Sequence, residues 1–196
     1  MSAISAMSTD NPRPDPPQSG ASDPRTPTGA LVVVESFFGC TRAVAHALAA
    51  GLADAGVSVH VTSTDDAPGM LPAALGLLVL AAPTHSRGLP TAASRAQAVS
   101  PGAPSTPSTG IREWLEATII PAGLPVAAAD TVTGRGWLSG SAAKDVAKTL
   151  TRRSSPRCRL QELPRGSAQG PLADGEEAAA RAWGRTGAQT CLSHPQ

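Results

Sequence analysis

The 196-residue chain has a formal charge of +1, with charged residues at 16% and aromatic residues at 3%. A balance this close to neutral excludes the basic surface that a nucleic-acid or membrane-surface binder needs, and the absence of tyrosine leaves few rings for stacking on a ligand. Nineteen glycines and nineteen prolines, in a length suited to one domain, point to a small-residue core bordered by turn-rich segments.

Three cysteines, Cys40, Cys158 and Cys191, are an odd number without paired spacing, so they imply neither a disulfide framework nor a zinc site. The first residues lack the basic start and apolar core of a signal peptide, and no apolar run approaches bilayer length. A cytoplasmic protein without membrane insertion is the expectation.

Residues 1–28 are rich in Pro, Ser and Asp and nearly devoid of large apolar side chains, so they are expected to be a disordered tail. Ala30 to Val34 read as a buried, valine-dominated strand. The loop from Glu35 to Thr41 carries two hydroxyls and one glycine. From Thr41 the spacing turns helical, with Val44, Leu48 and Leu52 on one stripe beside Ala45 and Ala49, until Gly56 stops it. Strand, hydroxyl-bearing loop and helix start together describe an anion pocket. The first helical N–H groups have no intrahelical partner, and the helix dipole places partial positive charge there.

Val57, Val59 and Val61 then alternate with polar residues, as in a half-buried edge strand. Asp65 to Gly69 is a turn-rich loop, and Leu71 to Ala74 are expected to add a helical turn. Leu75 to Ala82 are apolar on both faces, the pattern of a central parallel strand. Thr91 to Thr109, small residues broken by prolines, read as a partly disordered surface excursion. Gly110 to Ile119 resume helical spacing, with Ile111, Trp114, Leu115 and Ile119 expected to face the core. Leu124 to Ala129 form an alanine-rich strand, and Asp130 to Leu138 a loop. Ser139 or Ser141 caps a helix reaching about Arg153, with Val146 and Leu150 inward. A short strand, Cys158 to Leu163, precedes a final helix, Ala173 to Gln189, with Glu176 and Glu177 in its first turn. The alternation predicts an α/β fold with a parallel sheet and right-handed crossovers. Ligands in such sheets sit beyond the carboxyl ends of the strands, where strand order reverses.

The run S-F-F-G-C-T from Ser36 to Thr41, with Ala45 and Leu48 behind it, resembles the phosphate-loop signature of flavodoxins. A second match, Ala82-Pro83-Thr84-His85 with Gly88 shortly after, follows the third strand. Gly170-Pro171-Leu172 and the helix containing Arg181, Ala182, Trp183 and Gly184 resemble the closing segment of actinobacterial-type flavodoxin-domain proteins. The resemblance covers about Gly29 to Gly187 and is weakest from Thr91 to Thr109. It implies a flavodoxin-like three-layer sandwich: a five-stranded parallel sheet in order 2-1-3-4-5 with helices on both faces. The domain would span residues 29–190, with a frayed tail at 191–196.

The resemblance also implies non-covalent FMN. The phosphate would lie on Ser36, Phe37, Phe38, Gly39, Cys40 and Thr41, and the flavin edge on Pro83, Thr84, His85 and Gly88, with Trp137 closing the far side. Phe37 and Phe38 either touch the ligand or pack under the loop, and Trp137 either stacks on the ring or anchors the next helix. Cys40, where the family commonly has asparagine, is a reactive thiol or a small residue offering its N–H. Arg42 adds attraction or faces water, and so does Arg87, which stands where relatives often have an aromatic residue. Charge-assisted bonds of roughly 1.5–3 kcal/mol each would only just offset association costs of about 4–15 kcal/mol. Tight binding therefore needs the ring buried as well.

The functional expectation is an FMN-binding electron carrier, either an electron-transfer flavoprotein or an FMN-dependent oxidoreductase. It would work with a redox partner protein or a small electron donor or acceptor. The alternative is a cofactor-free binding module with a decayed flavin site, and a third is a phosphate-ester enzyme using the same pocket. No catalytic acid or base and no metal ligand is assigned. Dinucleotide and Walker motifs are absent, and His46 stands where a cysteine phosphatase would need arginine.

Overall fold

The computed structural model describes residues 29–99, 102–104, 106–133, 140–152, 158–164 and 171–192. Strands and helices alternate: β1 (Gly29–Val34), α1 (Cys40–Asp54), β2 (Ser58–Ser63), β3 (Leu75–Pro83), α2 (Ala92–Val99), α3 (Ile111–Ala117), β4 (Val126–Val132), α4 (Ala142–Arg152), β5 (Cys158–Pro164) and α5 (Glu176–Leu192). The strands pair in parallel in the order β2-β1-β3-β4-β5.

Alternation along the strands divides the core into two layers. Ala30, Val32 and Val34 of β1 face α1 and α5, while Leu31 and Val33 face α3 and α4. The α1 stripe is the one its spacing predicts: Val44, Leu48 and Leu52 are fully buried against the sheet, each contributing about 1.5–3 kcal/mol. Close approach of α5 to α1 depends on Gly51 and Gly184. A Cβ on Gly51 would collide with the Arg181 carbonyl, and one on Gly184 with the Leu48 carbonyl.

Several boundaries differ from the sequence reading. The stretch expected to be an excursion contains α2, whose Ser94, Arg95 and Ala98 are buried. Its small residues hide the periodicity, and its inward arginine is made tolerable only by the carboxylates of Glu35, just after β1, and Glu113 in α3. Ile119 is 85% exposed rather than in the core. Helix α3 stops at Ala117 and Thr118 is extended (φ −98°, ψ 134°), so the helical phase that would turn Ile119 inward is lost. Ile119 instead bridges Met70, also 85% exposed. Leu71 to Ala74 do not form a helical turn; the Leu75 N–H donates to the Pro72 carbonyl (3.0 Å), closing a tight turn into β3. Asp130 and Thr131 belong to β4, because pairing with both neighbours carries that strand to Val132. Helix α5 continues to Leu192, so 191–192 are helical rather than tail. The expected tail at 1–28 lies outside the described residues.

Candidate functional site

Because β1 is flanked by β2 on one side and β3 on the other, the chain leaves β1 toward α1 on one face and leaves β3 toward α2 and α3 on the opposite face. The strand order reverses at the carboxyl ends of β1 and β3, the usual ligand position in open parallel sheets. Three segments end there: 35–41, 83–88 and 130–133.

The first segment bends at Gly39, whose φ of +92° places it in the left-handed region as the cap residue of α1. A Cβ added there would meet nothing within 4 Å, so the space above the bend is open. The Arg42 N–H donates to Ser36 Oγ (3.3 Å), which folds that hydroxyl over the helix start. The Thr41 and Thr131 hydroxyls lie 2.9 Å apart, tying α1 to β4. Phe37 is buried, its ring edge-on to His85 with centroids 5.9 Å apart, while Phe38 is half-buried.

The second segment is a tight turn. His85 and Gly88 exchange backbone hydrogen bonds of 3.0 and 3.2 Å across Ser86 (φ 50°) and Arg87 (φ 75°). Two successive non-glycine residues at positive φ are sterically costly, which concentrates strain at this end of the sheet. Pro83 is buried as the last residue of β3. Gly88 is tightly enclosed: a Cβ there would collide with Asp145, whose Oδ2 accepts the Leu89 N–H at 3.0 Å.

The third segment carries a carboxylate that the sequence reading placed in a loop. Asp130 is 0% exposed, and its Oδ2 accepts from Thr84 Oγ1 (3.0 Å), Ser141 Oγ (2.7 Å) and the Ala143 N–H (3.0 Å). Thr84 Oγ1 in turn accepts from the Ala142 N–H (2.9 Å), and Ser141 caps α4 by accepting from the Lys144 N–H (3.1 Å). The Thr84 side chain, expected on the flavin edge, is thus engaged inside the protein at the start of α4. Trp137 lies outside the described residues.

Glu35 was also passed over, although a charged residue ending a buried strand was a visible signal. It is 0% exposed and accepts from the Ile111 N–H (2.9 Å) and Arg95 Nη1 (3.5 Å). Burial pushes its carboxyl from the ordinary 4.5 up to about 7, against the opposing pull of those two partners. Arg95 Nη1 also reaches Glu113 Oε2 at 3.0 Å. Among the described residues no cluster suited to a metal ion occurs, and no helix is long and apolar enough to cross a membrane.

No family model and no curated protein matches this chain. Solved structures do. A flavodoxin from the domain Archaea aligns over 85% of this chain and all of its own, with 17% identity and a TM-score of 0.57. Flavodoxin 1 from Bacillus cereus aligns over 86% of this chain and all of its own, at 14% identity and a TM-score of 0.58. A flavodiiron protein from Giardia intestinalis matches 87% of this chain with 38% of its own, at 18% identity and a TM-score of 0.57. At such identities the likeness establishes a flavodoxin-like α/β fold, a parallel sheet with helices packed on it.

Proposed function

We propose that this flavodoxin-like chain binds FMN non-covalently above β1 and β3 and carries electrons in the cytoplasm, working with a redox partner protein or a small electron donor or acceptor. The closing segment supports placing it with flavodoxin-domain proteins of the actinobacterial type. The observation that carries the proposal is the bend from Ser36 to Thr41, which sets an open space against the first turn of α1, where a dianionic ester is favoured.

The residues present fit a phosphate. Ser36 Oγ accepts from Arg42, which leaves its own proton to donate. In the Thr41–Thr131 pair only one hydroxyl proton lies between the oxygens, so the other remains to donate as well. Gly39 lets the group approach the backbone, and Cys40 contributes its position in the first turn. Phe37 supports the bend from beneath, and Phe38, Pro83, His85 and Gly88, with Trp137 from the third loop, are the residues proposed to meet the flavin. When bound, FMN supplies one- and two-electron chemistry, and the chain supplies binding, orientation and electrostatics.

A flavin titration tests this. Purified protein that is yellow, or that quenches FMN fluorescence on addition and releases FMN on denaturation, supports the proposal. Protein that stays colourless and leaves FMN fluorescence unchanged overturns it and favours the cofactor-free binding module. One observation argues for that second reading: the Thr84 hydroxyl is taken up by Asp130 Oδ2 and the Ala142 N–H at the start of α4.

A further inference from the structure

The amino-terminal end of the sheet carries an apolar surface that FMN binding does not use. Helix α3 starts beside Glu35, just past the carboxyl end of β1, and runs back along the sheet, so Ile119 beyond its last turn lies toward the opposite end. There Ile119 and Met70 form an isolated parallel bridge, and both side chains are 85% exposed. They are the two most exposed large apolar side chains among the described residues. Their chain neighbours hold them in place: Leu71 and Leu115 are buried in the layer that α3 covers, and the Trp114 Nε1–H donates to the Pro68 carbonyl (3.3 Å). Both segments lack side-chain charge, since neither Gly69 to Ala82 nor Ala117 to Ala129 contains an acidic or basic residue.

Residues 1–28 join the sheet at this same end. Gly29, where β1 begins, pairs with Leu75. Met70 lies five residues before Leu75, a separation of at most about 18 Å. The composition of the leading segment divides in two. Met1, Ile4 and Met7 are its only large apolar residues, and residues 1–7 contain no charged side chain; its five charged residues and six prolines all lie between Ser8 and Thr28. We propose that the Met70–Ile119 face is the seat of the chain's own leading segment: Ile4 and Met7 dock on it, and residues 8–28 bridge the gap to Gly29. Reach suits the assignment. A coil the length of residues 8–28 has an end-to-end distance of roughly 25 Å, close to the gap, so the tether keeps the two anchors at high effective concentration beside the face. Methionine's flexible, polarizable side chain adapts to such a shallow surface. A second copy fits less well, because a stable interface covers about 800 Å² on each partner and this face offers two large side chains. Docking at this end leaves the loops at the carboxyl ends of the strands uncovered, with or without flavin.

Methyl NMR of the full chain, labelled at methionine Cε and isoleucine Cδ1, tests the docking. Nuclear Overhauser contacts should join the Ile4 or Met7 methyl groups to those of Met70 or Ile119. Ile4→Asp with Met7→Asp should abolish them and shift the Met70 and Ile119 signals. In that variant Met70 should react with hydrogen peroxide roughly tenfold faster than in the unaltered chain, as a docked population of about nine in ten requires. Met70→Ser with Ile119→Ser, both at exposed positions that leave the core intact, should shift the Met7 signal from the other side of the contact. A Met70 signal and peroxide rate indifferent to Ile4→Asp with Met7→Asp overturn the proposal, and so does a Met7 signal indifferent to Met70→Ser with Ile119→Ser. Contacts that arise only between differently labelled molecules in a mixed sample also overturn it, since the occupant is then a second copy.

Discussion

The hydroxyl oxygens of Thr41 and Thr131, ninety residues apart in the chain, lie 2.9 Å from each other in a buried contact that joins the first turn of α1 to β4. Removing one hydroxyl strands the other without a partner. Thr41→Val and Thr131→Val are each expected to lower stability by about 1–2 kcal/mol, whereas the double valine variant should be close to neutral. Denaturant titration of the four proteins measures the cycle. If Thr41 also holds phosphate, the double variant will fold normally yet bind FMN weakly; unchanged affinity would remove Thr41 from the site.

Glu35 makes the pH dependence of global stability run opposite to that of an ordinary carboxylate. Its folded-state affinity for the proton exceeds its unfolded one, so its stabilising contribution is complete below about pH 4.5. That contribution is lost as the pH rises to about 7 and changes no further above that. Asp65 and Glu113 act the other way. Burial alone would raise both, but hydrogen bonds from Thr109 and Ser108, and from Arg95, hold them below the usual range. They stabilise above that range and lose the effect as pH falls. Relative to Glu35→Gln, the wild type should lose about 2–3 kcal/mol between pH 4.5 and pH 8. A difference independent of pH in urea unfolding would contradict this.

Asp130 joins three donors at one buried oxygen and so links β3, β4 and α4. Asp130→Ala should cost about 3–4 kcal/mol, because the Thr84 hydroxyl, the Ser141 hydroxyl and the Ala143 N–H all lose an acceptor. Thermal and chemical unfolding measure the loss. A cost below about 1 kcal/mol would mean the site relaxes around water.

Two glycines three residues apart in α5 should respond with opposite sign. A Cβ at Gly187 meets nothing within 4 Å, so Gly187→Ala should stabilise by about 0.5–1 kcal/mol through helix propensity. Gly184 lies against the Leu48 carbonyl, so Gly184→Ala must force α5 away from α1 and is expected to destabilise. Melting temperatures of the two variants test the pair, and a shift of the same sign in both would refute the packing described.

The strands, α1 and the direction of the sheet were legible in the sequence because they depend on local apolar patterning: β1 is a run of valines, and the α1 stripe repeats at helical spacing. The candidate phosphate loop was legible for a related reason, since strand, hydroxyls, glycine and helix start follow one another along the chain. Helix α2 was not, because alanine, serine and glutamine carry little hydrophobic contrast and its one large inward residue is an arginine. Nothing in the sequence beside Arg95 reveals the two carboxylates that make this possible, Glu113 in the next helix and Glu35 sixty residues earlier.

By itself, then, the order of residues determined which segments form strands and helices and which faces they bury, since those follow from backbone period and hydrophobicity over a few turns. Only the tertiary structure decided the polar interior: Glu35 with Arg95 and Ile111, Asp130 with Thr84 and Ser141, and Thr41 with Thr131. A buried polar group is stable only beside a complementary one. Which group that is depends on how distant strands and helix ends come together above the sheet.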